Sequence, residues 1–193
     1  ADISGYLEKY DIWSSYRPEE RGVLIAYASI YGNTASAALR LRDMLARRGE
    51  KRVAAVDLAR SDISRAVADA FRYDALVLAA PSYDGAVLPP MAAFLSRLKA
   101  KNWQKRTAAV IENGSWAPSA GKVMLAALPE MKDVAVLEPM VSIRSAVSEE
   151  TARTPEEAGV FQGLGIKFDQ LVERGVLVPC AGGRYYVDQC KSG

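Results

Sequence analysis

The chain has 193 residues, half of them hydrophobic and a quarter charged, with a net charge of +2 and no histidine. This is room for one domain with a substantial core, and the charge is too mild to argue for nucleic acid or a membrane surface. The missing histidines exclude His-based acid–base chemistry, a Ser-His-Asp triad and any His-ligated metal site within these residues. Cys180 and Cys190 lie in the tail without a C-x-x-C spacing, so neither a disulfide framework nor a zinc site is expected, and the cytoplasm is the default compartment. No stretch has the length and apolarity of a membrane span, and the amino end lacks the plan of a signal peptide. The opening without Met on a linker-like segment leads us to expect an excised piece of a longer protein.

In residues 1–20, Tyr6, Leu7, Tyr10 and Trp13 fall at helical spacing, and Pro18 ends the pattern. Two readings are open for this amphipathic helix: it packs on the domain's own flank, or it is a linker that touches another domain. Val23 to Ala28 is an apolar run of the kind buried on both faces of a parallel sheet. It breaks into the turn Ser29-Ile30-Tyr31-Gly32-Asn33-Thr34, and a helix follows from Ala35 to Arg48, with Leu39, Leu41, Met44 and Leu45 as its inner stripe and Gly49 at its end. Val53 to Leu58 reads as a second strand. Ser61 or Asp62 caps a helix through Phe71, with Ile63, Val67 and Ala70 inward. Ala75 to Ala80 is a third buried strand ending at Pro81, and Pro89 and Pro90 open the helix Met91 to Lys99.

Thr107 to Ile111 is a fourth strand, followed by a polar loop from Glu112 to Gly121 and a helix from about Lys122 to Leu128. Val134 to Val141 is a fifth strand interrupted by Pro139, and Pro155 to Arg174 is the last helix. Five strands alternating with helices give an α/β, doubly wound, five-stranded parallel sheet with helices on both faces. Its expected strand order is 2-1-3-4-5, and ligands of such sheets bind at the carboxyl ends of the strands, near the switch between strands one and three. The expected organisation is a linker-like segment over 1–20, a domain over 21–175 and an extension over 176–193.

Three polar loops follow strands one, three and four at that edge. A strand that turns at once into a helix points the helix's first N–H groups and the positive end of its dipole into the turn, which makes a phosphate site. Ser29, Asn33 and Thr34 can add side-chain donors, although the same residue types also serve as ordinary helix caps. The turn lacks the Lys of a nucleoside-triphosphate loop and the G-x-G-x-x-G of a dinucleotide fold, so a single terminal phosphate suits it better.

The pattern S-x-Y-G-N-T after a first strand resembles the phosphate loop of flavodoxin-like FMN domains, and most of all the flavodoxin domain of flavodiiron proteins, or A-type flavoproteins. The likeness covers roughly residues 6–174. Tyr10-Asp11-Ile12-Trp13-Ser14 is similar to the segment that, in that family, joins the domain to an upstream metallo-β-lactamase-like diiron domain. The resemblance implies FMN as cofactor, with Ser29, Ile30, Tyr31, Gly32, Asn33 and Thr34 around its phosphate. It places Pro81, Ser82, Tyr83, Asp84 and Gly85 in a second loop, where Tyr83 would lie against the isoalloxazine ring; a plain surface turn of Pro, Asp and Gly is the competing reading. It places Asn113, Gly114, Ser115 and Trp116 in the third, with Trp116 as a second ring wall and backbone amides on the pyrimidine edge. The chain departs from the family pattern with Ser82 and Asp84 where a Thr and an Asn are usual, with N-G-S-W-A-P where G-S-Y-G-W is frequent, and with a mildly basic balance where free-standing flavodoxins are acidic. Trp103, just before the fourth strand, is expected to pack a helix end.

No residue is assigned to catalysis and none to a metal. The leading expectation is an electron-transfer domain that takes electrons from a rubredoxin or an NAD(P)H-linked reductase. It would pass them to a diiron site reducing oxygen or nitric oxide, on another domain or on the partner of a head-to-tail homodimer. A stand-alone NAD(P)H:quinone reductase and a non-redox module that lost its flavin are the rivals.

Overall fold

The computed structural model describes residues 4–115, 117–137, 140–144, 177–180 and 184–187. Its first helix, α1 (Ser4–Ser14), precedes β1 (Glu20–Tyr27), α2 (Asn33–Arg47) and β2 (Val53–Asp57). The chain continues through α3 (Ile63–Arg72), β3 (Tyr73–Tyr83), β4 (Ala86–Val87), α4 (Pro89–Ala100), β5 (Arg106–Asn113) and α5 (Ala120–Ala127). A 3-10 turn, Leu128–Glu130, leads to β6 (Val134–Val136) and β7 (Val141–Ile143), and β8 (Leu177–Cys180) and β9 (Arg184–Val187) form a separate antiparallel hairpin.

The main sheet runs β2-β1-β3-β5-β6, all parallel, with β7 also parallel to β5. This is the expected 2-1-3-4-5 order. The numbering differs because β4 is a short antiparallel strand folded back on β3. The fifth strand, expected as one piece, is two: β6 pairs with the start of β5 (Arg106 opposite Val134) and β7 with its end (Ile111 opposite Val141). A proline cannot donate to a ladder, and the break falls where the sequence carries Pro139, which lies outside the described residues, as does the helix expected over Pro155 to Arg174.

The apolar runs are buried on both faces, as a parallel sheet requires. Leu24 and Ala26 face one core with Leu76, Leu78 and Val110, closed by Phe94 of α4, Met124 of α5 and Val67 of α3. Val23 and Ile25 face the other with Val77 and Ala109, closed by Ala38, Leu41 and Leu45 of α2. Leu39, expected in that stripe, is only half-buried and belongs to neither core. Trp103 packs a helix end as expected: it is buried and its indole N–H donates to the Ala70 carbonyl of α3 at 2.8 Å.

The helix α1 forms, but Tyr6, Leu7, Tyr10 and Trp13 remain 55–76% exposed, so the reading in which it packs on the domain's own flank is wrong. Its exit is nonetheless fixed. The buried Arg106 guanidinium donates to the carbonyls of Tyr16 (2.6 Å), Phe71 (2.6 Å), Tyr73 (2.8 Å), Gln104 (3.0 Å) and Lys105 (3.1 Å), and the Lys105 ammonium reaches the Ser15 carbonyl at 3.0 Å. Burial lowers the Arg106 pKa from the usual guanidinium range, with Asp74 opposing. Arg106 starts β5, so α1 leaves from the amino edge of the sheet, opposite the three loops.

Candidate functional site

Strands β1, β3 and β5 are neighbours, so the loops at their carboxyl ends lie side by side. The first begins where Tyr27 ends β1 between Asp57 of β2 and Ala79 of β3. Burial and nearby Asp57 push the Tyr27 hydroxyl above the ordinary phenol range, against the smaller pull of Arg60 and Arg42. It is therefore a neutral group. Helix α2 starts behind Gly32, whose φ of 89° is left-handed and whose missing Cβ would meet nothing within 4 Å. The position selects glycine through its backbone, and the space above it is open.

The N-cap of α2 is Gly32, which has no side chain to place on the first-turn amides. Asn33 and Thr34 lie inside α2 rather than at its cap, and Ser29 reaches only the N–H of Gly32. The first carbonyl taken up inside the helix is that of Gly32, by Ser36 N–H at 2.8 Å, which leaves the amides of the first turn directed into the loop. Ser29 Oγ accepts the Gly32 N–H at 3.0 Å and keeps its own hydroxyl hydrogen to donate. Asn33 is half-buried and Thr34 buried, whereas Ile30 and Tyr31 are 43% and 91% exposed. Open amides at a helix start, a hydroxyl with a spare donor and a glycine without a side chain in the way form a donor set that fits a phosphate monoester.

The second loop is a β-hairpin. Pro81, Ser82 and Tyr83 belong to β3, Asp84 and Gly85 form the two-residue turn with φ of 48° and 67°, and Tyr83 pairs with Ala86. The strand does not stop at Pro81, as the sequence suggested. Ala79 offers its carbonyl to Ala28, the residue just past β1, so Pro81, two residues on, faces the same side after β1 has ended, and its missing N–H costs no ladder bond. Tyr83 stands 51% exposed on the hairpin, with Asp84 and Gly85 exposed at the tip.

In the third loop Asn113 is buried at the end of β5, Gly114 is half-buried and Ser115 exposed. Trp116 lies outside the described residues. A Cβ on Gly114 would stand 3.0 Å from Pro118 and 3.2 Å from Ser82 Oγ, so this glycine lets the second and third loops touch. Ser82 Oγ accepts the N–H groups of Ser119 (2.8 Å) and Ala120 (3.1 Å), and Ser119 Oγ donates to the Ala86 carbonyl at 2.9 Å. Sequence reasoning missed two members of this junction. One is Ser119. The other is Glu112, 4% exposed, whose Oε2 accepts the Gly121 N–H at 2.9 Å. The signal for Glu112 was present: a carboxylate directly after the all-apolar end of a buried strand.

Among the described residues no three His, Cys, Asp or Glu side chains gather as a metal site, and no helix is long and apolar enough to cross a membrane.

A family model described as "Flavodoxin domain" matches residues 24–171, and the chain belongs to that family. Family membership and fold together imply FMN as the cofactor, in agreement with the phosphate-fitting turn. Three solved structures illustrate the likeness. Rubredoxin oxygen:oxidoreductase from the anaerobe Desulfovibrio gigas superposes with a TM-score of 0.74 at 16% identity, covering 89% of this chain and 41% of that one. The flavodiiron protein of Giardia intestinalis gives 0.69 at 21% identity, covering 90% and 42%. A flavodoxin from the domain Archaea gives 0.61 at 17% identity, covering 78% and 99%. At these identities the superpositions speak for the fold. This chain thus spans 41% and 42% of the first two proteins and nearly all of the third. No curated protein matches.

Proposed function

We propose that this chain is an electron-transfer domain that holds FMN at the carboxyl edge of its sheet. It would receive electrons from a rubredoxin or an NAD(P)H-linked reductase and deliver them to a diiron oxygen- or nitric oxide-reducing site on another domain or on the partner of a head-to-tail homodimer. The observation that carries the reading is the start of α2 behind Gly32, whose first-turn amides open beside the Tyr83 hairpin and the third loop. When bound, the flavin supplies the redox chemistry. The protein's residues bind and orient it: the first-turn amides of α2 with Ser29, Asn33 and Thr34 hold the phosphate, while Tyr83 and Trp116 flank the ring. Asn113, Gly114 and Ser115 present polar groups to its edge.

The exposed aromatic face of α1 supports a second domain. Four large apolar side chains on one short helix, anchored through Arg106 and Lys105, form a patch of the kind that marks an interaction surface. In this reading α1 touches the diiron metallo-β-lactamase-like domain, and the protein works in the cytoplasm without nucleic acid or membrane.

The test is anaerobic reduction of the FMN-loaded chain, then stopped-flow mixing with nitric oxide and, separately, with oxygen under product analysis. The relay reading expects reduction by a chemical or protein donor, no efficient nitric oxide reduction, and slow reoxidation by oxygen to peroxide or superoxide. Rapid multiple turnover by this chain alone, without iron, would overturn it, and turnover with NADPH and a quinone would favour the stand-alone reductase.

A further inference from the structure

We infer that the buried carboxylate of Glu112 sets the reduction potential of the flavin site, holding it low by keeping a negative charge beneath the loop that carries the ring's polar partners. The inference rests on the FMN reading above.

Glu112 is the penultimate residue of β5, next to Asn113 and two positions before Gly114. It directly follows the apolar run Ala108 to Ile111 of the same strand and has 4% of its surface exposed. A carboxylate costs far more to bury than the leucine or valine that would fill such a place, so its presence needs a reason beyond packing. The Gly121 N–H at 2.9 Å and the amino end of α5 accommodate the charge. Gly121 makes the approach close, since a Cβ there would lie 2.7 Å from Glu112 Oε2.

The neighbouring amides at the start of α5, those of Ser119 and Ala120, are taken by Ser82 Oγ. The start of α5 is therefore tied to β5 by a charged group and to the Tyr83 hairpin by a neutral one. If Glu112 served only to tie α5, a neutral acceptor would do as well. The carboxylate adds a fixed negative charge at the edge where the ring binds. Uptake of two electrons and one proton leaves the reduced ring anionic, and a nearby carboxylate opposes that state.

The discriminating variant is Glu112→Gln, which keeps a carbonyl oxygen for the Gly121 N–H and removes the charge. A unit charge felt across roughly 10 Å at an effective dielectric constant of about 20 changes an equilibrium roughly tenfold. The reduced form should gain by about that factor in the variant, which for a two-electron couple is a rise of about 30 mV. Affinity for oxidised FMN and thermal stability should stay near wild type. Glu112→Ala should show the same rise together with weaker FMN binding, because it also releases α5.

In the unaltered protein, labelling glutamate with carbon-13 should move a carboxylate band in the reduced-minus-oxidised infrared difference spectrum, which keeps the test open if a variant does not fold. FMN binding with an unchanged potential in Glu112→Gln, or no labelled band in the difference spectrum, overturns this inference and leaves the FMN reading standing. Failure of the unaltered chain to bind FMN overturns that reading itself.

Discussion

Removing the phosphate from the ligand probes the first loop without touching the protein. The amides of the first turn of α2 have no partner inside the helix, the N-cap Gly32 has no side chain to offer them, and Ser29 retains a hydroxyl hydrogen. Hydrogen bonds to a charged acceptor are worth roughly 1.5–3 kcal/mol each. Three such bonds to a phosphate sum to roughly 4.5–9 kcal/mol, and at about 1.4 kcal/mol per factor of ten the lower figure is already about three powers of ten in Kd. Parallel fluorescence titrations with FMN and riboflavin should show that gap. Raising the salt concentration should narrow it modestly, because the loop is partly exposed and its charge interactions are screened. Equal affinity for the two ligands would refute the assignment of this turn as a phosphate cradle.

Tyr83→Ala should weaken FMN binding by two- to tenfold, from about 0.5–1.5 kcal/mol of ring stacking, and shift the reduction potential without unfolding the protein, since the side chain lies on an exposed hairpin; Trp116→Ala should behave alike, and wild-type affinity and potential in both would remove these rings from the site. Ser82→Ala should lower stability by about 1–2 kcal/mol in a urea melt, because the amides of Ser119 and Ala120 lose their shared acceptor, and should weaken FMN binding through the loosened third loop; an unchanged melt would mean that the junction contributes nothing. Arg106→Ala should destabilise by roughly 2–4 kcal/mol, with carbonyls from Tyr16 to Lys105 left without their donor, and Arg106→Lys should recover only part of it because an ammonium lacks the planar fork. FMN affinity of the folded Arg106 variants should not change, since Arg106 lies at the far end of β5 from the loops.

The parts of this fold that were legible in the sequence are those set by local chemistry. Val23 to Ala28 reads as a buried parallel strand because both its faces are apolar, and both are covered. Asp62 caps α3 through the Ser64 N–H at 2.8 Å, and Gly49 ends α2 with a φ of 93°. What was missed depends on neighbours. Pro81 looked like a strand end, and only the length of β1 beside it makes a proline tolerable there. Asp84-Gly85 is a strong two-residue hairpin signal, hidden because the apolar run on its far side, Ala86-Val87-Leu88, is cut short by Pro89 and Pro90. The α1 spacing gave the helix but not its exposure, since an apolar stripe looks the same whether its partner is the domain's own sheet or another surface. Glu112 read as the first residue of a polar loop, and its burial comes from α5 folding over it.

The most direct test of the account is the visible spectrum of the purified chain during titration with FMN. A domain that holds FMN as described should bind one equivalent, with displaced and better resolved flavin bands and quenched fluorescence. The bound flavin should stay with the protein through gel filtration and bleach reversibly on anaerobic reduction. A colourless chain that neither perturbs nor retains added FMN would contradict the account at its centre.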